Sequence, residues 1–375
     1  MTDDFFAEQS EESRVKTEIV AKFFASWSNV ILGAQRGRGK PLKIGYVDLF
    51  AGRGRFADGA PSTPLLVLQH AIENADHRHA LTAVFNEADA GYRQHLLTNI
   101  NALPGVNTLT RKPIYLGETV DSDYGPFLKQ VKGIPTLFFV DPWGYIGVSV
   151  ELLRSAVQQA WGSDLIFFFN YKRICAGLSN DLFAERMKAI FGTRYATLRK
   201  QVEHLHGDAR EEAITAAMAE ELAENAAEHV LKFRIERRGA TSHYVFFISK
   251  SAKGRRIMAD IMAGVSSERD QGVVPFEFSR ASKEAQQTSL FEAPMDSLGD
   301  LAGELLRLCA DKTMTTAEIF ALCTFPGKNY QMKNYKQALM RLEAEGKIIT
   351  SPAAAQRKKG TFGDAVAVKF PGVVR

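Results

Sequence analysis

The chain alternates between two patterns of apolar positions, one with a helical period and one made of short unbroken runs. In residues 10–32 apolar side chains recur every four positions, which predicts an amphipathic helix. Short apolar runs, separated from one another by helical patterns, cover residues 44–50, 81–87, 136–143 and 164–170. Such runs are typical of parallel strands that helices cover on both faces. The pattern therefore predicts an α/β fold with a mostly parallel, doubly wound sheet.

Three other segments complete this part of the chain. The basic, glycine-rich residues 33–43 predict a linker between the first helix and the first strand. Residues 178–228 are rich in Ala and Glu and predict helices, either as an insertion or as an outer layer. Residues 229–237 and 243–251 then predict a late pair of strands, so that the sheet gains an antiparallel strand.

The C-terminal part has a pattern of its own. Residues 281–298 lack strong periodicity and predict a linker. Three short helices and then two strands are predicted beyond it, which is the plan of a winged helix-turn-helix domain. We therefore expect an N-terminal helical segment (1–40), a Rossmann-like domain (41–280) and a winged-helix domain (299–375).

The basic charge is concentrated at this C-terminal end. The 375-residue chain has a net charge of only +4, but residues 328–375 contain ten Lys or Arg against three Asp or Glu. A local basic face points to nucleic acid, DNA or RNA, although a solvated tail or a winged helix used for protein contact would fit as well. The residues predicted to contact nucleic acid lie on the third helix and at the wing tip: Lys333, Lys336, Arg341, Arg357, Lys358 and Lys359. Asn329 and Asn334, near the start of that helix, could read base edges.

Other features exclude classes of protein. No window approaches about 18 uninterrupted apolar residues, so we expect no membrane span. The acidic first twelve residues have the wrong charge for a targeting peptide. Cys175, Cys309 and Cys323 are far apart and form no metal-binding spacing, so neither a disulfide framework nor a metal site is expected. These features fit a protein of the reducing cytoplasm.

The first predicted strand ends in a stretch that could hold a cofactor. Asp48 precedes a loop of small residues containing Phe50, Ala51, Gly52 and Gly54, and glycine lets a backbone approach a ligand closely. An acid in front of the glycines repels phosphate, which disfavours a dinucleotide. The sulfonium and ammonium groups of S-adenosylmethionine would instead be attracted. An ordinary strand end followed by a turn remains the structural alternative.

The start of the next helix also argues against a dinucleotide, because pyrophosphate binds at a helix N-terminus directly after the glycines. Here Ser62 or Thr63 is the best N-cap, with Pro64 at the first position. Residues 55–63 are therefore predicted to form an extra loop beside the cofactor.

Acids end two further strands. Glu87 follows the second strand and could accept hydrogen bonds from ribose hydroxyls, although a solvated strand end is the alternative. Asp141 and Pro142 begin "DPWG" after the third apolar run, where a simple turn is again the alternative. Further expectations at strand ends and in the glycine loop are contacts from Glu118 or Asp121 to adenine, from Asn170 to substrate, and from Arg53 and Arg55 to phosphate.

At these residues the chain resembles a known class. "DLFAGRG" is similar to motif I of class I S-adenosylmethionine-dependent methyltransferases, and "DPWG" to their motif IV. Together with "VKTEIVAKFFASW", the later "STP", "VDPWGY", "GRRIMADIM" and the C-terminal pattern, the chain resembles the three-Cys-motif partner protein family, TcmP. The resemblance implies a class I methyltransferase fold and a bacterial or phage protein with a radical-SAM-like, three-cysteine partner. It does not supply a substrate.

The "DPWG" form resembles the motif of methyltransferases that act on exocyclic amines. In them the acid accepts hydrogen bonds from the target NH₂, and a neighbouring aromatic stacks on the extruded base. Asp141 and Pro142 match, whereas Trp143 and Tyr145 compete for the aromatic role. No cysteine follows a proline, which excludes the cytosine-C5 mechanism. The hypothesis is thus N-methylation of a nucleic-acid base, and the alternative is a non-catalytic protein of this fold that binds nucleic acid or its partner.

Overall fold

The computed structural model describes residues 11–120, 123–142, 144, 147–224, 228–237, 239–266, 276–278, 297–323, 330–358 and 360–372. The contacts between residues divide the chain into two compact units, Met1–Ile261 and Met262–Arg375. Within the described residues, no helix is both long and apolar enough to cross a lipid bilayer.

Strands and helices alternate along the first unit. Up to β8, which lies in the second unit, the elements are α1 (Glu11–Gly37), β1 (Ile44–Asp48), α2 (Thr63–Glu73), α3 (Ala75–Ala80), β2 (Leu81–Asn86), α4 (Ala90–Asn101), β3 (Ile114–Leu116), α5 (Gly125–Gln130), β4 (Thr136–Val140), α6 (Val150–Gln158), β5 (Asp164–Phe169), α7 (Tyr171–Leu178), α8 (Ala184–Phe191), α9 (Tyr195–Val202), α10 (Gly207–Ala223), β6 (His229–Arg237), β7 (Ala240–Ser249), α11 (Ala252–Val265) and β8 (Glu277–Phe278).

The sheet of the first unit confirms the predicted fold class. Its strands lie in the order β3-β2-β1-β4-β5-β7-β6. Strands β1 to β5 are parallel, and β7 runs antiparallel between β5 and β6. All residues of β1, β2, β4 and β5 are buried, as expected for strands covered on both faces. This is the Rossmann-like fold of class I methyltransferases, in which the carboxyl ends of the parallel strands meet at one edge.

Helix α1 packs its apolar stripe against the unit and confirms the predicted helix. The residues of the four-residue repeat are all at most 5% exposed: Val15, Ile19, Phe23, Trp27 and Ile31. The helix continues to Gly37, so the prediction that a linker begins at residue 33 was wrong. Its last turns are held by Gln35, whose buried side chain accepts from the N–H of Lys43 at 2.9 Å and donates to its carbonyl at 2.8 Å.

The sequence pattern predicted the helices of residues 178–228 but not the strand β3. Residues 178–228 form the helices α8, α9 and α10 as predicted. Strand β3 was not predicted, because its three residues lie at the sheet edge, are only half-buried and lack a long apolar run.

The second unit has its own elements and core. Its helices are α12 (Ser297–Leu308), α13 (Thr316–Leu322) and α14 (Met332–Ala344). Strands β9 (Thr313–Thr315), β10 (Ile349–Ser351) and β11 (Ala367–Lys369) form an antiparallel sheet in the order β10-β11-β9. The core of this unit includes the fully buried Leu301, Leu305, Ile319, Leu339 and Val368.

The helices and the last two strands of this unit match the predicted pattern, whereas β9 was not predicted. Thr315 caps α13 through a capping box with Glu318. Residues 281–296 of the predicted linker lie outside the described residues, and its last two residues already belong to α12.

Candidate functional site

A single cavity lies at the carboxyl edge of the parallel strands. Its volume is about 560 Å³, within the range of small-molecule sites. It is lined by residues that end four strands, because that edge gathers chain positions far apart in sequence. These strand-end residues are Asp48, Glu87, Asp141 and Asn170.

Asp48 forms the buried floor of the cavity. Its side chain is 1% exposed, and its Oδ1 accepts from the N–H of Phe50 at 3.1 Å. The Tyr46 hydroxyl donates to its other oxygen at 3.5 Å. Burial raises the pKa of Asp48, the Phe50 amide and the Lys16 ammonium lower it, and the charges of Asp141 and Glu87 raise it, so that the pKa lies at about 8. The group is thus poised to become an anion when a cation approaches.

Glu87 is fixed by the glycine loop. The N–H of Gly52 donates to Glu87 Oε2 at 2.9 Å, and the N–H of Asp89 donates to Oε1 at 2.9 Å. Gly52 and Gly54 have φ angles of 64° and 84°, which residues other than glycine rarely adopt. The loop therefore needs its glycines, and each Glu87 oxygen keeps a second lone pair for a ligand.

The segment after the glycine loop forms a closed turn before α2. Arg55 and Pro61 form an isolated antiparallel β-bridge, and the N–H of Ser62 donates to the carbonyl of Gly54 at 2.9 Å. Helix α2 then begins at Thr63 with Ser62 as its N-cap, as predicted. Phe56 of this turn lines the cavity. The glycines are thus followed by a loop rather than by a helix N-terminus.

The opposite end of the cavity contains an ion pair. Lys16 of α1 is paired with Asp141 Oδ2, and their side chains are only 15% and 21% exposed. The Lys16 ammonium also lies 4.7 Å from the ring centroid of Phe168. The ring of His243 stacks on Phe168 with the centroids 4.5 Å apart and an interplanar angle of 15°. One oxygen of Asp141 is therefore engaged by an ammonium group of the protein itself.

His243 is neutral at physiological pH. Burial and, to a smaller extent, the nearby cations Lys16, Arg237, Lys172 and Arg173 lower its pKa to about 3. Its Nδ1 is buried without a hydrogen-bond partner. This end of the cavity thus combines a neutral imidazole with a cationic rim.

The cavity brings together the described residues that the sequence predicted for the cofactor and the acceptor. Those that line it are Asp48, Phe50, Ala51, Gly52, Gly54, Glu87, Asp141 and Pro142. Trp143 and Tyr145 lie outside the described residues, as does Asp121. Glu118 and Asn170 also line the cavity, although the Asn170 side chain caps α7 by accepting from the N–H of Arg173 at 3.1 Å.

The two arginines of the glycine loop line the cavity as well, but each also has an intramolecular contact. The Arg53 guanidinium stacks on Tyr92 at 4.1 Å. Arg55 donates to the carbonyl of Gly59 at 2.8 Å. These contacts stabilise the conformation of the loop. A phosphate contact from either arginine stays a prediction.

Several lining residues were not predicted from the sequence. They come from α1 and from the late strands: Lys16, Thr17, Arg237, Ser242 and His243. Lys16 follows the buried Val15 on an amphipathic helix, where a lysine usually marks the solvent face. His243 lies on β7, an ordinary apolar strand. These residues reach the site only because α1 and the late strands β6 and β7 pack beside the ends of the parallel strands.

The predicted nucleic-acid residues of the second unit differ in their surroundings. Lys333 and Lys358 are exposed, whereas Lys336 pairs with Asp364 at 2.6 Å and Arg341 with Glu345 at 3.0 Å. Arg357 does not form an exposed wing tip. Its side chain is 8% exposed, pairs with Glu343 and stacks on Phe362 at 4.3 Å. Lys359 lies outside the described residues.

A base-reading role was also expected for Asn334, and that expectation was wrong. Asn334 is completely buried, and its side chain accepts from the N–H of Gln331 at 2.8 Å in a capping box of α14. A side chain that satisfies the helix N-terminus in the core cannot reach a base edge. Asn329 lies outside the described residues.

No protein-family model matches the chain, and no curated protein is similar to it in sequence. Solved structures resemble it in fold. A chain of a fibrillarin/Nop5p complex is 12% identical, with a TM-score of 0.32 over 59% of this chain and 80% of that one. An rRNA methylase from Streptococcus thermophilus is 7% identical, with a TM-score of 0.31 over 61% and 93%. An S-adenosylmethionine-dependent methyltransferase from Clostridium acetobutylicum is 10% identical, with a TM-score of 0.29 over 60% and 90%.

Proposed function

We propose that the protein is an S-adenosylmethionine-dependent methyltransferase that acts on an exocyclic amine of a nucleic-acid base. One observation carries the proposal: a single cavity at the carboxyl edge of the sheet contains Asp48, Gly52, Glu87 and Asp141. The groups proposed to bind the cofactor and those proposed to bind the acceptor thus line the same cavity. Each group has a chemical task in methyl transfer.

The residues of the cavity fit S-adenosylmethionine. Asp48 is a buried acid whose carboxylate form would be stabilised by the sulfonium and ammonium charges. Gly52 and Gly54 let the backbone approach the ligand, and Glu87 retains lone pairs for ribose hydroxyls. When bound, the cofactor supplies an electrophilic methyl group.

Asp141 and Pro142 would hold the acceptor. Lys16 engages Oδ2 of Asp141, so the other oxygen can accept a hydrogen bond from a target NH₂. Fixing the nitrogen lone pair against the methyl group is then the main catalytic contribution, since the reaction needs little beyond positioning. In this proposal Trp143 or Tyr145 stacks on the base, as the motif predicts.

Nucleic acid is the proposed substrate because of the charge at two places. Arg173 and Arg237 line the cavity, and Lys333 and Lys358 are exposed in the second unit. We propose that residues 299–375 act as a winged helix that docks on the phosphate backbone, while residues 41–280 perform the transfer. A radical-SAM-like protein with a three-cysteine motif is the proposed partner, as the resemblance to the TcmP family implies.

One observation favours a second function. Asp141 already holds an amine of the protein itself, Lys16, on one of the two oxygens of the proposed acceptor-binding group. A non-catalytic protein of this fold, which binds nucleic acid or a partner protein, would have no need to free that position. The two functions differ in whether the cofactor binds and whether a methyl group is transferred.

Calorimetry with S-adenosylmethionine tests the proposal first. Wild type should bind, Asp48→Ala should bind at least about tenfold more weakly because the cavity loses its counter-charge, and the surface control Glu185→Ala should equal wild type. Transfer of tritiated methyl groups to DNA, tRNA and rRNA pools then identifies the substrate. Absence of binding heat in wild type, with Asp48→Ala indistinguishable from it, would refute the methyltransferase.

A further inference from the structure

Lys16 places a primary amine at the acceptor end of the cavity. Its ammonium group is paired with Asp141 and lies 4.7 Å from the centre of the Phe168 ring. Its side chain is 15% exposed, whereas Lys22, on the same helix, is 53% exposed and pairs with Glu18 at 2.6 Å. The two lysines thus share a helix but differ in environment, since only Lys16 lines the cavity.

The backbone holds Lys16 at this position. Val15 and Thr17, its neighbours on both sides, are 1% and 2% exposed. The helix buries further apolar residues over its whole length, so removing Lys16 from the cavity by moving the helix would expose a large apolar surface. The amine is therefore a fixed part of the site, and only its side-chain torsions are free.

Lys16 is also distinct among the groups that line the cavity. It is the one lysine among the described lining residues, and the other cations there are the arginines 53, 55, 173 and 237. A guanidinium stays protonated and has no available lone pair, whereas an amine becomes a nucleophile when it loses a proton. The neutral imidazole of His243 is the other nitrogen nucleophile of the lining.

We propose that Lys16 is a methyl acceptor of the protein's own active site, so that the protein methylates itself when no external acceptor fills the cavity. This inference rests on the proposed function, because it needs S-adenosylmethionine in the same cavity. It assigns to the ion pair of Lys16 and Asp141 the arrangement that the proposed function gives to the target amine and Asp141.

The proposed methylation of Lys16 consists of the loss of a proton and the transfer of a methyl group. The Lys16 ammonium first loses a proton to water, by way of the Asp141 carboxylate. The free lone pair on Nζ forms a bond to the methyl carbon, and the bond between that carbon and the sulfonium sulfur breaks with its electron pair remaining on sulfur. The products are N-methyl-lysine and S-adenosylhomocysteine. The positive charge that develops on Nζ lies against Asp141, which stabilises it.

The protonation of lysine limits the rate. An ordinary lysine has a pKa near 10.4, so roughly one amine in a thousand is neutral near pH 7.4. Self-methylation should therefore become faster as the pH rises, because only the neutral amine is a nucleophile. Methylation keeps the charge of lysine, so the contact with Asp141 persists in the product.

Peptide mapping by mass spectrometry tests the inference. Protein as isolated from cells, and protein incubated with S-adenosylmethionine carrying a deuterated methyl group, should both carry methyl groups on the Lys16 peptide. Lys22 should stay unmodified, since it lies outside the cavity. Labelling should fall by at least about tenfold in Asp48→Ala, in parallel with the loss of cofactor affinity.

A second readout needs no methyl transfer. Acetic anhydride modifies exposed lysines, and saturating S-adenosylhomocysteine should protect Lys16 against it while leaving Lys22 equally reactive. Unchanged reactivity of Lys16 would place its amine away from the cofactor and overturn the inference.

Other outcomes separate the inference from the proposed function. Suppose that the cofactor binds with measurable heat. The inference is then overturned if Lys16 carries no methyl group, if His243 is labelled instead, or if Lys16 and Lys22 are labelled alike. The proposed methyltransferase function would remain in each of these cases. Absence of binding heat would overturn both.

Discussion

Three acids that line one cavity, Asp48, Glu87 and Asp141, differ in their environments. Asp48 is buried beside a phenol and an amide, Glu87 accepts from two backbone amides, and Asp141 is paired with an ammonium group. Burial without a charged partner raises a carboxyl pKa, whereas hydrogen bonds and cations favour the anion. Residue type alone therefore does not determine which of these acids is an anion at neutral pH.

Binding of S-adenosylmethionine should depend on pH through Asp48. Its pKa of about 8 keeps it mostly protonated below that pH, so binding of the cation must expel a proton. We expect the Kd to fall by up to about tenfold per pH unit as the pH rises towards 8, and then to level off. Calorimetry across this range measures it.

Asp48→Asn is the matched control, because it keeps an oxygen for the Phe50 N–H and cannot titrate. Its pH profile should contain only the titration of the ligand itself. Identical profiles for wild type and Asp48→Asn would show that Asp48 is not the counter-charge.

The same pKa shift predicts a change in stability. Between about 3.8 and 8 the unfolded chain ionises Asp48 while the folded protein keeps it protonated, so this group makes the protein less stable as the pH rises through that range. Above the folded pKa the penalty is constant. Asp48→Asn should therefore raise the Tm near pH 8. The gain in free energy of unfolding should be at most about 5 kcal/mol, since the pKa difference spans about four units of about 1.4 kcal/mol each. An equal or lower Tm would contradict the raised pKa.

At the scale of elements, the close approach of β1 to β4 fixes the strand ends of the site. Gly45 of β1 pairs with Thr136 of β4, and a Cβ on Gly45 would lie 2.3 Å from Thr136 Oγ1. A glycine at this position lets the two central strands pack with their carboxyl ends side by side. Asp48 ends β1 and Asp141 comes directly after β4, so this pairing places the two acids at the same edge of the sheet.

Gly45→Ala should destabilise the protein for this reason. The added methyl group must displace Thr136 between two buried strands, at a cost of about 1–3 kcal/mol. Gly33→Ala, in the exposed face of α1 with nothing within 4 Å, should instead stabilise by about 0.5–1 kcal/mol. Chemical denaturation of both variants measures the difference, and a Gly45→Ala variant as stable as wild type would show that the strands can separate freely.

The loop between β1 and α2 is the other element-level feature of the site. A helix starting at Gly54 would aim its N-terminus at the ligand, as in phosphate-binding folds. Here the chain turns back first, with Ser62 bonded to Gly54. The cavity is thus walled by a loop at the end of β1 and suits a ligand without phosphate.

At the scale of the whole molecule, the basic residues of the second unit separate into an exposed group and a structural group. Lys333 and Lys358 are exposed, whereas Arg357 is buried against Glu343 and Phe362. Replacing Lys333 and Lys358 by Ala should lower the salt slope of nucleic-acid binding by about 2, since each phosphate contact contributes about 0.9. Binding titrations at several salt concentrations measure that slope.

Arg357→Ala provides the contrast. It should cost about 3 kcal/mol of stability, because Glu343 loses the cation that compensates it. The two lysine changes should stay within about 0.5 kcal/mol of wild type. A salt slope that is unchanged by the lysine variants would argue for a protein-contact role of this unit.

The sequence by itself determined the fold class, the helices and the central strands, because buried strands and amphipathic helices leave local apolar patterns. It also located Asp48, Glu87 and Asp141, because each follows such a strand directly. It could not reveal the short edge strand β3, or that Arg357 and Asn334 are buried. These depend on neighbours that are distant along the chain.

Only the tertiary structure decided how the acids are used. It joined α1 to the strand ends and so placed Lys16 on Asp141, 125 positions away in sequence, and it brought His243 to Phe168. Local patterns record which side chains are buried. The electrostatic state of a site depends on which buried groups meet, and that is a property of the packed sheet and helix together.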